Sequence, residues 1–221
     1  MLLLSFDTSG NACSVALSEV GEILAEKNQA MTRGHAGALV PFIQEVLESA
    51  GKTYQDLEAL AVTVGPGSFT GIRVGLATAK GLSVALKIPL VGFTSFEVLS
   101  FVAQKELSPE VPYILTIDTK REDLYVAAYS AKGEPLLDPT SLYPKEILEK
   151  FEGEEVVLTG SGLAYFKKDS TPENVKFESI CCETSAKTLV AMFEEKYGNL
   201  EKLPQKAVEA FYLRPSVVKK S

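Results

Sequence analysis

Short apolar runs open the chain and give way to longer, helix-spaced ones. LLLSF (Leu2 to Phe6), ACSVALS (Ala12 to Ser18) and EILAEKN (Glu22 to Asn28) read as strands, separated by turn chemistry at Asp7 to Asn11 and by a tight turn at Val20-Gly21. Together they predict a three-stranded meander. From about His35 to Ala50 the spacing changes, so that Ala36, Leu39, Val40, Ile43, Val46, Leu47 and Ala50 share one helical face, with Gly51 as a stop. Pro41 predicts a kink in this helix or the opening of its main part. The run ALAVTV (Ala59 to Val64) is a strand that feeds a glycine-punctuated turn and then a helix from Thr70 to Leu86. A short strand, Leu90 to Gly92, and a helix from Ser95 to about Gln104 complete a β-β-β-α-β-α-β-α order.

After the proline-bearing segment LSPEVP (Leu107 to Pro112) the opening pattern returns. Leu4/Leu115, Asp7/Asp118, Thr8/Thr119, Val15/Val126 and Ala16/Ala127 match at an offset of 111 residues, and the Gly21-Glu22 turn recurs as Gly133-Glu134. This predicts two related lobes, 1–106 and 107–221, the second smaller or degenerate and its tail returning to the first. In the second lobe the pattern predicts a helix near Pro144 to Lys150, a strand Glu155 to Leu158, a GSG turn at Gly160 to Gly162 and a helix Thr184 to Tyr197. Repeated strand and helix units of this kind make the fold class α/β.

The helix from Thr70 to Leu86 carries Arg73 and Lys80 as its charges, and Gly71, Gly75 and Ala79 recur every fourth residue. One side suffices to cover its own sheet. The bare Gly71/Gly75/Ala79 strip is therefore expected to face outward, where a second helix packs closely on it. On that reading Gly75→Arg or Ala79→Glu separates the partners and leaves the monomer folded.

Composition narrows the functional classes. With 46% hydrophobic residues, a net charge of −7 and a pI near 5.0, the 221-residue chain buries a real core but has no basic surface for gripping RNA or DNA alone. Arg214, Lys219 and Lys220 make a faint basic tail. The cysteines, Cys13, Cys181 and Cys182, lack C-x-x-C spacing and fit a reduced compartment. MLLLSF has no basic flank and ends at Asp7, so neither a signal peptide nor a membrane span is expected, and the chain reads as cytoplasmic.

The duplicated Asp-Thr turns offer a carboxylate, hydroxyls and backbone N–H groups. Asp7, Thr8 and Ser9 with Asp118, Thr119 and the Gly160 turn are thus candidates for a nucleotide cleft with weak ATP or ADP binding, against ordinary turn chemistry. Gly65-Pro-Gly67-Ser-Phe-Thr-Gly71 lies at a helix N-terminus that favours an anion, yet it is neither a Walker loop nor a dinucleotide fingerprint. Ser68 lacks the glycine spacing of a nucleophile elbow, and the chain's one histidine, His35, supplies neither a paired-imidazole metal site nor an obvious serine base. The acidic patches around Glu152 and Glu194 read as solvated faces.

LLLSFDTSGNACSVAL, RGHAGALVPFI, GPGSFTGIRVGLATAKGLS, IPLVGFTSFEVLS, ILTIDTKREDLYVAAY and the closing YLRP together resemble the bacterial TsaB (YeaZ) family of tRNA threonylcarbamoyladenosine biosynthesis proteins. The resemblance implies an actin-like, sugar-kinase-like fold of two lobes. It also implies a non-catalytic partner of the paralogue TsaD, acting with the ATPase TsaE and meeting tRNA only through the complex. TsaD carries an H-x-x-x-H metal motif after its own glycine-rich helix; here those positions hold Ser95 and Leu99, so no catalytic residue, metal or required cofactor is expected. Pairing through the first two helices implies an interface of His35, Leu39, Ile43, Gly71, Arg73, Val74, Gly75, Thr78, Ala79 and Lys80, a face also open to a homodimer. The rival readings are an actin-like ATPase or small-molecule kinase using Asp7 and Asp118 and, more distantly, a Rossmann-type redox protein.

Overall fold

β1 (Leu2–Asp7) is the pivot of the first half: it pairs antiparallel with β2 (Ala12–Glu19) and parallel with β4 (Ala59–Gly65). With β3 (Glu22–Ala30) and β5 (Leu90–Thr94) this gives a five-stranded sheet of order β3-β2-β1-β4-β5. The computed structural model describes residues 1–107, 109–166, 172–180, 183–198, 203–204 and 207–214; Cys181, Cys182, Lys219 and Lys220 lie outside the described residues.

Both faces of this sheet are covered. Leu2, Leu4 and Phe6 of β1 join Leu39, Ile43, Val46 and Leu47 of α1 (His35–Ser49) and Leu76 and Ala79 of α2 (Phe69–Leu86) on one side. Leu3, with Ala59 and Ala61 of β4 and Phe93 of β5, turns to the other, as the two-residue period of a strand requires. α1 begins at His35, ahead of Pro41, and runs on past it, its inward side chains holding it to the sheet through the missing N–H bond.

The second half repeats this plan with β6 (Tyr113–Asp118), β7 (Leu124–Tyr129), β8 (Pro135–Leu142), α4 (Pro144–Lys150), β9 (Val156–Gly160) and β10 (Val175–Glu178) in a sheet of order β10-β9-β6-β7-β8. Read from β5, the first sheet has the same order, and β1 and β6 end on the matched Asp7 and Asp118. Where α2 links β4 to β5, the described link from β9 to β10 holds a single 3-10 turn, Leu163–Tyr165, so the second repeat lacks that helix among the described residues. α3 (Ser95–Glu106) lies between the sheets: Val98 faces the first, while Phe96, Leu99 and Ala103 meet Tyr113, Leu115 and Ala127 of the second. α5 (Ala186–Lys196) also packs on the first sheet, through Ala186, Leu189, Val190 and Phe193. The stretch 207–214 then crosses between the halves. Phe211 N–H donates to the Val64 carbonyl at 2.8 Å, Leu213 joins the α3 cluster, and Arg214 pairs with Asp123.

The small-residue strip of α2 runs opposite to the sequence expectation. Gly71, Gly75 and Ala79 face the protein's own turn and sheet: a Cβ on Gly71 would overlap the Thr8 carbonyl oxygen, one on Gly75 would stand 2.6 Å from Thr8 Oγ1, and Ala79 is fully buried. Thr8 Oγ1 also donates to the Gly71 carbonyl at 2.7 Å. The missing side chains let α2 sit close on the β1 turn, and Gly75→Arg or Ala79→Glu would disrupt the monomer itself. Gly81, by contrast, looks into open space. Gly71→Ala should therefore destabilise the fold by about 1–3 kcal/mol or more through overpacking. Gly81→Ala should stabilise it by up to about 1 kcal/mol through helix propensity, both read from urea denaturation followed by circular dichroism.

Candidate functional site

Two surfaces collect the residues singled out by the sequence. The first is the outer side of α1 and α2, which pack together on one face of the first sheet. Once Gly71, Gly75 and Ala79 are turned inward, the helical period presents Thr70, Arg73, Ala77, Lys80, Gly81 and Val84 to solvent on α2. On α1 the matching exposed positions are Ala36, Gly37 and Val40, followed by Gln44. Val40 and Val84 are 51% and 78% exposed, unusual for β-branched side chains on the covering helices of a sheet.

Of the interface residues expected from sequence, Arg73 and Lys80 are exposed and Val74 and Thr78 are half-buried. His35, Leu39 and Ile43 are buried in the same lobe as Gly71, Gly75 and Ala79 and offer nothing to a partner, because α1 needs that face for its own core. The outward residues that sequence reasoning missed are Ala77, Gly81 and Val84 on α2 and Ala36, Gly37 and Val40 on α1; Ala36 and Val40 were expected on the face of Leu39 and Ile43 but lie at its edge and are exposed. Arg73, Ala77, Gly81 and Ala85 form a second four-residue row, also of small residues after its first member. Pattern alone gives two such rows and does not say which faces the sheet.

The second surface is a cleft of about 680 Å³ between the two sheets, lined by both Asp-Thr turns in part. Ser9, Asp118 and Thr119 line it; Asp7, Thr8 and Gly160 do not. Asp7 is buried, with Oδ1 accepting from Ser9 N–H at 2.5 Å and Oδ2 lacking a partner. Its neighbour Cys13 has its thiol pushed up to about 11 by burial and, second, by the Asp7 charge. Thr8 is used in seating α2, and Gly160, at φ 106°, presses on the Thr116 backbone.

Asp118 is placed differently from its repeat mate. Its Oδ1 accepts from Lys120 N–H at 2.6 Å and from the Tyr165 hydroxyl at 2.9 Å, and its Oδ2 from Lys120 Nζ at 2.7 Å. Burial works against its ionisation, but these hydrogen bonds outweigh it and hold the carboxyl below its usual range. Ser68 caps α2, its Oγ accepting from Gly71 N–H at 3.2 Å, and His35 Nε2 is buried without a partner, so neither is arranged as a nucleophile with its base. Ser95 and Leu99, one turn apart at the start of α3, both face the cleft. Neither side chain is a metal ligand of the imidazole kind, and no group of three or more His, Cys, Asp or Glu among the described residues is arranged to hold a metal. A metal-bound nucleotide needs carboxylates free to face it. With Asp7 walled off and Asp118 tied to Lys120, the residues present do not fit one.

Comparison with known proteins gives one consistent answer. The family model for TsaD, tRNA N6-adenosine threonylcarbamoyltransferase, matches residues 22–214. The tRNA threonylcarbamoyladenosine biosynthesis protein TsaB of Escherichia coli (strain K12) is 30% identical over 171 residues, covering 73% of this chain and 72% of that protein. A Pseudomonas aeruginosa protein described as similar to peptidase YeaZ superposes with a TM-score of 0.79 at 26% identity, over 96% of this chain and 99% of that one. At 12% identity and a TM-score of 0.52, the activator of 2-hydroxyisocaproyl-CoA dehydratase from Clostridium difficile, solved with bound ADPNP, shares the fold alone, over 94% of this chain and 100% of that one. The duplicated α/β architecture is the actin-like one expected from sequence. No helix among the described residues is long and apolar enough to cross a membrane.

Because the folded-state pKa of Asp118 is depressed, its contribution to stability is present above the unfolded value of 3.8 and is lost as pH falls through the folded value. Carboxyl ¹³C titration should show Asp118 moving upward in Lys120→Ala, since burial then acts with less opposition. An unchanged midpoint would remove Lys120 as the cause.

Proposed function

Because the chain belongs to the TsaB family of tRNA threonylcarbamoyladenosine biosynthesis proteins and carries the TsaD-type domain over residues 22–214, we propose that it is the non-catalytic partner of a catalytic TsaD-type paralogue. The outward face of α1 and α2, in the lobe formed by residues 1–106, docks on that paralogue and orders it for threonylcarbamoyl transfer to tRNA. A TsaE-type ATPase joins the same complex, and tRNA is met only through it. In the absence of the paralogue the same face pairs with a second copy of the chain. The reaction belongs to the paralogue in a reduced cytoplasm.

The observation that carries this reading is the exposed strip of Ala36, Gly37 and Val40 with Ala77, Gly81 and Val84. Small and β-branched side chains there leave room for another helix pair to approach at short interaxial distance, and Lys80 flanks the strip as a cation for a partner's carboxylate, while Arg73, at its other end, rests on the Phe69 ring and donates to the Tyr212 hydroxyl. The non-catalytic assignment is supported by Ser95 and Leu99 at the positions of the paralogue's histidine pair. An actin-like kinase built on Asp7 and Asp118 draws no support from a cleft in which one of these carboxylates does not line the wall and the other is neutralised by Lys120.

Val84→Glu and Gly81→Arg should each weaken co-elution with the catalytic paralogue in size-exclusion chromatography by at least tenfold in apparent affinity, while circular dichroism and the melting temperature stay within a few degrees of the parent. Transfer activity of the paralogue should fall with the loss of pairing. If both variants still co-elute, the docking surface lies elsewhere. If the paralogue transfers equally well without this chain, the activator role fails. ATP turnover by the chain alone that Asp7→Ala abolishes would favour the kinase.

A further inference from the structure

The strip of Ala77, Gly81 and Val84 is short of bulk. Small side chains permit close approach, but the energy of protein pairing is concentrated in a few large side chains, aromatic ones above all, that a partner buries. Followed back toward the start of α2 in steps of four, the exposed row Ala85, Gly81, Ala77 reaches Arg73 and then Phe69, so the first residue of the helix stands at the end of the same outward stripe. Phe69 is 41% exposed. Beside it lies a second ring, that of Tyr212, 37% exposed, with its centroid 5.3 Å from that of Phe69 in a tilted pair.

Arg73 clips the two rings together. Its guanidinium carbon lies 3.7 Å from the centre of the Phe69 ring and 6.0 Å from that of Tyr212, and its Nε donates to the Tyr212 hydroxyl at 3.2 Å. Rings ordered before a partner arrives lose less freedom when it buries them. Tyr212 is also held along its own chain, because the residues on either side of it turn inward. Phe211 N–H donates to the Val64 carbonyl at 2.8 Å and its ring packs on the first core, while Leu213 joins the cluster between α3 and the second sheet. Arg214 then donates to Ser141 Oγ at 2.9 Å and pairs with Asp123, both in the second lobe. A ring at the end of the first lobe's docking stripe is thus tethered to the other lobe.

We propose that the Phe69–Tyr212 ring pair is the anchoring end of the face that docks on the catalytic paralogue, and that residues 207–214 form a strap making this end depend on the second lobe. The inference rests on the docking role proposed above and extends it to a residue outside α1 and α2. The occupant is a paralogue helix that sets a large apolar side chain against the two rings and a carboxylate near Lys80. Charge favours the paralogue over a second copy: α2 carries Arg73 and Lys80 and no carboxylate, so its own copy laid antiparallel on it brings like charges together, whereas a different chain is free to supply the acid.

Titration calorimetry of the full chain with the catalytic paralogue tests this. Tyr212→Ala and Phe69→Ala should each weaken pairing by about tenfold or more. Tyr212→Phe, which keeps the ring and loses the acceptor of Arg73, and Arg214→Gln, which acts only through the strap, should each weaken it by about threefold. Leu136→Ala, exposed on β8 in the second lobe, should leave it unaltered. Amide hydrogen exchange at Phe211 reads the seating of the strap and should be faster in Arg214→Gln than in the parent. If alanine at position 69 or 212 lowers the melting temperature, Tyr212→Phe and Arg214→Gln, which remove no apolar group, decide the outcome. Parent affinity in the ring variants while Val84→Glu abolishes pairing would overturn the proposal and leave the docking role standing; parent affinity in Val84→Glu as well would overturn both. Faster exchange in Arg214→Gln with parent affinity would remove the strap, and a loss confined to self-pairing would assign the rings to a second copy and overturn the proposal.

Discussion

The seating of Gly71 and Gly75 on Thr8 is the contact on which the rest of the arrangement depends. Two absent side chains let a helix approach the backbone of the turn after β1, and the Thr8 hydroxyl fixes it there by donating to the Gly71 carbonyl. That contact sets the rotation of α2 about its axis. Ile72, Leu76 and Ala79 are thereby committed to burial, and Ala77, Gly81 and Val84 to the outside. It also brings the start of α2 to the cleft, where Gly67, Ser68 and Phe69 form part of the wall. One close approach thus shapes both surfaces.

The duplication preserves strand order but not chemistry. Asp7 and Asp118 end equivalent strands, yet the first is buried beside Cys13 and the second is bound by Lys120 and Tyr165. The first turn supports a helix; the second faces a short 3-10 turn, and its threonine hydroxyl bonds to the Asp123 carbonyl at 2.6 Å instead. With one repeat mate serving packing and the other neutralised, the cleft takes its charge from arginines that the repeat does not duplicate. Arg33 follows β3, Arg121 follows β6, and Arg214 arrives from the end of the described chain.

Much of this was legible in the sequence. The strands of the first sheet, the helices that cover it and the return of the pattern at Leu115 follow from hydrophobic period and turn residues, and the resemblance supplied the fold and family. The rotation of α2 was not legible, because both Gly71-Gly75-Ala79 and Ala77-Gly81-Ala85 are bare rows and the deciding atom, the Thr8 carbonyl, lies more than sixty residues away in the chain. β8 and β10 were not located individually, for their residues are half exposed and mixed in polarity, as in the run from Pro135 to Leu142. The basic cleft escaped notice for a related reason: its cations come from well-separated positions, and overall acidity hides them.

The crossing stretch 207–214 has a bearing on how the polypeptide folds as it leaves the ribosome. Val208 rests on Gly92 and Val64, Phe211 bonds to Val64, and α5 covers Leu3 and Ala16, so strands made first receive part of their cover from residues made long afterwards. A nascent chain that has reached only β6 carries a first sheet with apolar surface still bare. Cooperative closure of that half waits on the completion of the other.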